Sequence, residues 1–234
     1  MFSGKRSNII GALILALHIG MATVAQAQVS GTDTHDHKSF QCLEDGLKSN
    51  EFGCLLLAKL QLERFPEGQL FWHLSKSPTR GAAEAAKGRT GMVVDADGQV
   101  WLFIFGPNSA KPKKGEFVAT VGPLQLTAGK LPPAKSYEVV ANRAVMPAGT
   151  YTRVHTHPGP EAWFILDGEQ CLETPAGLMK GRQGESMFAP PATPMRLSNN
   201  GSSTRRALFI VIHDAAQPWS IPTNEWKPTG ACDR

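Results

Sequence analysis

The segment GTYTRVHTHPGPEAWFILDG, from Gly149 to Gly168, carries most of the information about fold and chemistry. Its two histidines, His155 and His157, stand at i and i+2, which in an extended strand presents both imidazoles on one face. Pro158-Gly159-Pro160 then turns the chain. Glu161 opens a second β-rich run, AWFILD, from which its carboxylate can return to the same point. Two neutral nitrogens and one anionic oxygen suit a divalent transition metal and leave positions open for a substrate. By the same parity Tyr151 and Arg153 share the histidine face, and Trp163 and Ile165 extend the Glu161 face. The expected pocket thus has an aromatic wall and a guanidinium at Arg153 that can hold a carboxylate or enolate. Solvent exposure of Tyr151 and Arg153 at an open barrel mouth is the other reading of the same parity.

The spacing resembles the first motif of the cupin family: a glycine, five residues, HxH, three or four residues, Glu, six residues, Gly. Gly149, His155, His157, Glu161 and Gly168 each fall in place. The family's second motif is a glycine, five residues, PxG, two residues, His, three residues, Asn. GESMFAPPATPMRLSN, from Gly184, keeps Pro190 and Asn199 but has Ala192 for the second glycine and Met195 for the histidine. The resemblance implies an all-β fold, the cupin double-stranded β-helix or jelly-roll barrel, here with additional N-terminal strands and one short helix. It implies the barrel more firmly than the metal, because the histidine that completes a metal-binding cupin is replaced. Met195 is either a soft, weak fourth ligand or a filler of apolar space. On the first reading iron, copper, zinc or manganese is held by His155, His157 and Glu161. Glu161 serves as ligand or, in a looser geometry, as general base. The resemblance also implies dimerisation.

The first 27 residues read as a secretory signal: Lys5 and Arg6, the apolar run Ile9 to Leu17, and Ala25-Gln26-Ala27 as the cleavage site. That run is too short for a comfortable membrane span, so no membrane association is expected after cleavage. Loss of Lys5 and Arg6 lowers the formal charge from +4 to +2. With no Lys/Arg block besides, nucleic acid is not an expected partner; a small molecule is. Cys42, Cys54, Cys171 and Cys232 all follow the cleavage site, so two disulfides are expected in an oxidising periplasmic or extracellular setting. Of three pairings, the favoured one joins Cys42 to Cys54 and Cys171 to Cys232, the second pinning the tail to the barrel. An Asp167-Gly168 hairpin turn would set Cys171 opposite Phe164, facing away from Glu161; a one-residue shift would reverse that.

The chain divides in expectation into the signal (1–27), a polar arm (28–40), a β-rich extension (41–130), the barrel core (131–214) and a tail packed on the barrel (215–234). His35 and His37 form a second HxH, without a carboxylate in a fixed frame. His73, between Trp72 and Leu74, reads as a packing histidine. Ser77-Pro78 before TRGAAEAAKG predicts an N-cap and a short helix ending at Gly88. GMVVDADGQVWLFIFG predicts a hairpin about Asp97-Gly98. The strands from Gly91 to Leu126 either join the one barrel or form a degenerate second one, with Leu131-Pro132-Pro133 as the linker. ALFIVIHD is apolar throughout, as a strand buried on both faces would be. His213 at its end is either a replacement ligand or structural, and Arg196 is expected to point away from the site. Two function classes remain: a metal-dependent enzyme, foremost an oxygenase with isomerase or decarboxylase chemistry as the close variant, and a non-catalytic cupin that captures a small molecule or metal.

Overall fold

The computed structural model describes residues 39–40, 52–66, 68–124 and 134–233. The signal segment, most of the polar arm with His35 and His37, Cys42, and the Leu131–Pro133 linker lie outside them. Among the described residues no helix is long and apolar enough to cross a membrane.

The elements in order are β1 (Ser39–Phe40), β2 (Gly53–Leu62), β3 (Phe71–Ser77), α1 (Arg80–Ala86), β4 (Gly91–Ala96), β5 (Gln99–Gly106), β6 (Glu116–Val121) and β7 (Tyr137–Met146). Next come β8 (Tyr151–Thr152), β9 (His155–Thr156), β10 (Glu161–Asp167), β11 (Glu169–Thr174) and β12 (Gly177–Arg182). The last are β13 (Ser186–Ala189), β14 (Arg196–Ser198), β15 (Arg205–Asp214) and β16 (Ile221–Pro222). One sheet has the order β13-β10-β15-β7-β2, a second β1-β8-β14-β11-β12, and a third β4-β5-β3-β6, while β16 pairs with β9.

The first of these sheets is covered on both faces, which explains the unbroken apolar run of β15. Phe209 and Val211 join Trp163, Ile165, Leu172, Met195 and Leu197 in the barrel interior. Leu208, Ile210 and Ile212 turn the other way and pack with Trp72, Leu74, Phe103 and Phe105 of the third sheet. Each such side chain, removed from water, contributes on the order of 2 kcal/mol. Alternation is hidden in the sequence because neither face meets solvent.

Of the strands preceding β7, β2 joins the barrel sheet, pairing antiparallel with β7 from Gly53↔Val145 to Leu62↔Tyr137. Strands β3 to β6 form a sheet of their own against the outer face, a layer rather than added barrel strands or a second barrel. An ion pair between a buried arginine and an exposed turn aspartate ties this layer to the barrel: Arg143 of β7 donates from Nε and Nη2 to the two carboxylate oxygens of Asp97, at 2.9 and 2.8 Å. Asp97 sits in the β4–β5 turn, where it and Gly98 both have positive φ, +50° and +72°, as the expected two-residue hairpin demands. Helix α1 starts later than its sequence indicates. Thr79, not Ser77, is the N-cap, its Oγ1 accepting from Ala82 N at 3.1 Å, and Ser77 donates to the Thr79 carbonyl instead.

No hairpin forms at Asp167-Gly168. Strand β10 pairs with β13 and β15, β11 with β12 and β14, so the chain crosses from one sheet to the other at Gly168. Cys171 nevertheless faces out of the barrel, because its neighbour Leu172 faces in. Cys171 and Cys232 form a disulfide across 61 residues of chain, a closure worth about 4 kcal/mol if loop entropy alone is considered. Cys54 is also disulfide-bonded and buried; its expected partner, Cys42, lies outside the described residues.

Candidate metal centre

The barrel strand that carries the histidines is interrupted. Tyr151 and Thr152 form β8, the chain bends at Arg153-Val154, and His155 and Thr156 resume as β9. His155 exchanges both backbone hydrogen bonds with Met195, at 3.2 and 2.9 Å, and β16 pairs on the other side with Ile221↔Thr156 and Pro222↔His155. The second-motif segment and the tail therefore clamp the histidine strand from both edges. Glu161 opens β10 between Ala189 and Val211 and is 4% exposed.

The nitrogen and oxygen ligand atoms of His155, His157 and Glu161 lie within 4.8 Å of one another. His155 Nδ1 stands 2.8 Å from the Arg153 carbonyl, and His157 Nδ1 stands 2.5 Å from the Trp219 carbonyl. A carbonyl only accepts, so each Nδ1 carries the proton, and the Nε2 lone pair is left for the common point. Such backbone contacts orient metal-ligating imidazoles. His157 Nε2 and Glu161 Oε2 are 2.8 Å apart, yet both are buried and neither has an aligned hydrogen-bond partner. Two adjacent, buried, unsatisfied donor atoms are what a cation would satisfy, and the residues fit a divalent transition metal.

The charges agree with this arrangement. Burial lowers the His155 pKa, the neighbouring His157 lowers it further, and Glu161 and the Arg153 carbonyl only partly offset them; His155 is a neutral donor. Burial also presses His157 toward neutrality, but the charge and close approach of Glu161, with the Trp219 carbonyl, raise its pKa above the ordinary value.

A cavity of about 230 Å³ opens on the three donors. Exposed Arg153 and Pro222 lie at its rim, while Cys54, Ala144, Trp163, Phe209 and Arg205 close its buried end. Of the residues expected to line it, Arg153 and Trp163 do. Tyr151 does not: the bend after β8 breaks the i, i+2 parity, Thr152 takes the inward position, and the Tyr151 ring stacks under the Arg196 guanidinium outside, 4.9 Å from its centre. Ile165 shares the Glu161 face but is buried deeper, against Met187 and Gly181. Met195, 1% exposed, packs into the interior cluster and is not among the cavity-lining residues. Arg196 points away as expected, to Asp233 at 2.6 Å and Glu173 at 3.5 Å. His213 lies 3.5 Å from Glu138 and is not among the lining residues, and His73 is a core histidine bonded to Thr120 and Pro107.

Two contributors were missed from sequence. Trp219 sits in a proline-rich tail whose path no local signal reveals. Arg205 begins an apolar strand beside Arg206, a pattern that reads as a solvated strand end; only its even spacing from Ala207, Phe209 and Val211 marks it as inward.

A family model described as a cupin domain matches residues 142–211, the span that holds all three donors. Among solved structures, a DMSP lyase of Ruegeria pomeroyi is 25% identical over 38% of this chain and 45% of its own, with a TM-score of 0.34. An RmlC-like cupin family protein of Methanocaldococcus jannaschii is 20% identical over 31% of this chain and 67% of its own, TM-score 0.30. A cupin 2 conserved barrel domain protein of Salinispora arenicola is 19% identical over 33% and 65%, TM-score 0.31. The chain thus spans less than half the length of the lyase. Among curated proteins none matches. The matched segment, residues 142–211, is thus similar to a cupin domain, and two facing sheets are built around it.

Proposed function

We propose that this chain is an exported, metal-dependent enzyme acting on a small molecule, with His155, His157 and Glu161 as the metal ligands. The observation that carries the reading is the pair of buried, unsatisfied atoms, His157 Nε2 and Glu161 Oε2, converging with His155 at the wall of a cavity. A bound divalent metal would supply Lewis acidity or, as iron, copper or manganese, oxygen chemistry. The two-histidine, one-carboxylate donor set with open positions favours an oxygenase. The chain's own part is to hold both imidazoles in the Nε2-donating tautomer, to place the Glu161 carboxyl beside them, and to enclose the substrate between Trp163 and Trp219. Arg153 stands at the rim, where an incoming anion passes. The Cys171–Cys232 disulfide supports an oxidising compartment, in keeping with the leader-like first 27 residues.

The test is elemental analysis of the mature, untagged protein beside His155→Ala, before and after reconstitution with iron, copper, manganese and zinc. Near-stoichiometric metal in the wild type and its loss in the variant is the expected result. No metal in the wild type under any condition would remove the enzyme reading, and metal without turnover of any tested substrate would favour the capture protein.

A further inference from the structure

Arg205 is fully buried and lies at the enclosed end of the cavity, on the face of β15 that carries Phe209. Its Nη2 donates to Gln170 Oε1 and its Nη1 meets Met146 Sδ at 3.5 Å, while its Nε has no partner. Among the described residues no carboxylate stands within ion-pair distance of it. Burial brings its pKa down to about 9, opposed by the field of Glu161, so the group remains charged at neutral pH. A buried guanidinium with only neutral partners is an unfavourable arrangement unless an anion joins it. A divalent metal at the three donors would add positive charge to the same cavity.

We propose that Arg205 is the anion-binding residue of this cavity, and that its ligand is a small carboxylic acid whose carboxylate pairs with the guanidinium while its other end reaches the His155, His157 and Glu161 centre. The fork geometry of arginine matches a carboxylate. Gln170, itself buried and donating to Met187 Sδ at 3.0 Å, is a positioning residue that fixes the guanidinium plane. The cavity of about 230 Å³ suits a small molecule. The assignment of the far end rests on the metal-centre reading; the anion site does not.

The experiment is calorimetric titration of the full mature protein, metal-free and zinc-loaded, with acetate and malonate, and with acetamide and malonamide as neutral matches. Carboxylates should bind and amides should not, and Arg205→Met should weaken malonate by roughly tenfold to a hundredfold, the range for a lost charged hydrogen bond, with zinc content unchanged. Arg205→Lys keeps the charge but not the fork, and should lie between the two. It decides the matter if Arg205→Met fails to fold by circular dichroism: a Lys variant that binds malonate as tightly as wild type overturns the proposal. So do equal binding by Arg205→Met, equal binding of the amides, or no carboxylate binding at all. Carboxylate binding through Arg205 in a protein that never takes up metal would leave this inference standing and remove the enzyme reading.

Discussion

The imidazole of His157 lies against the indole of Trp219, ring planes 11° apart and centroids 5.7 Å apart, while its Nδ1 meets the carbonyl of that same residue. Trp219 thus fixes His157 twice, once by its face and once by its backbone. A substitution at 219 removes only the first. Trp219→Ala should weaken metal affinity by about three- to tenfold, the worth of an aromatic stack, and Trp219→Phe should restore most of it. Competition with a chromophoric chelator reads this directly; an Ala variant that binds as tightly as wild type would show that the carbonyl suffices.

Gly159 separates the histidine pair from Glu161 and lies so close to β15 that a Cβ there would be driven into the Ile212 carbonyl. The next residue, Pro160, accepts from Ile212 N at 3.1 Å, so the segment cannot drift outward without losing that bond. Gly159→Ala should therefore cost about 1–3 kcal/mol, as overpacking does, and reduce metal uptake because His157 and Glu161 flank the displaced turn. Gly81, in α1, is the control: a Cβ there meets nothing, and Gly81→Ala should stabilise by up to about 1 kcal/mol. Urea unfolding of both variants, with metal content measured alongside, checks the pair. A Gly159→Ala protein with wild-type stability would contradict the close approach.

How much of this was legible depended on the range of the signal. The His155, His157, Glu161 grouping is local, set by strand parity and one turn, and the structure brings those donors together as the motif implies. Tyr151 failed because parity was carried through a bend that local sequence does not mark. The Asp167-Gly168 hairpin failed for a different reason: a turn dipeptide between two β-rich runs looks the same whether the strands pair or part into facing sheets. Cys171 faced outward on either account, so a correct orientation followed from an incorrect pairing. Arg205 and Trp219 lie 44 and 58 residues beyond Glu161 by their numbers, and only the closed barrel brings either to the cavity.

His73, buried in the third sheet, sits between the Thr120 hydroxyl, 2.9 Å from Nδ1, and the Pro107 carbonyl, 3.0 Å from Nε2. The carbonyl requires the proton on Nε2, so Nδ1 accepts from Thr120. Burial lowers its pKa from the ordinary 6.5, the Pro107 carbonyl opposes this, and Lys111 adds to the lowering. Above about pH 6.5 both folded and unfolded states hold His73 neutral, and it contributes no pH dependence. As pH falls below that value the unfolded chain takes up a proton that the folded chain resists, so stability is lost until the folded pKa is passed. His73→Gln can still donate to Pro107 and accept from Thr120, in poorer geometry, at a cost of about 1 kcal/mol near pH 8. Its deficit against wild type should narrow as the pH falls to about 5.5, because only the wild type suffers this proton uptake. Urea unfolding at both pH values measures the difference, and a deficit that stays constant would mean that burial does not hold His73 neutral.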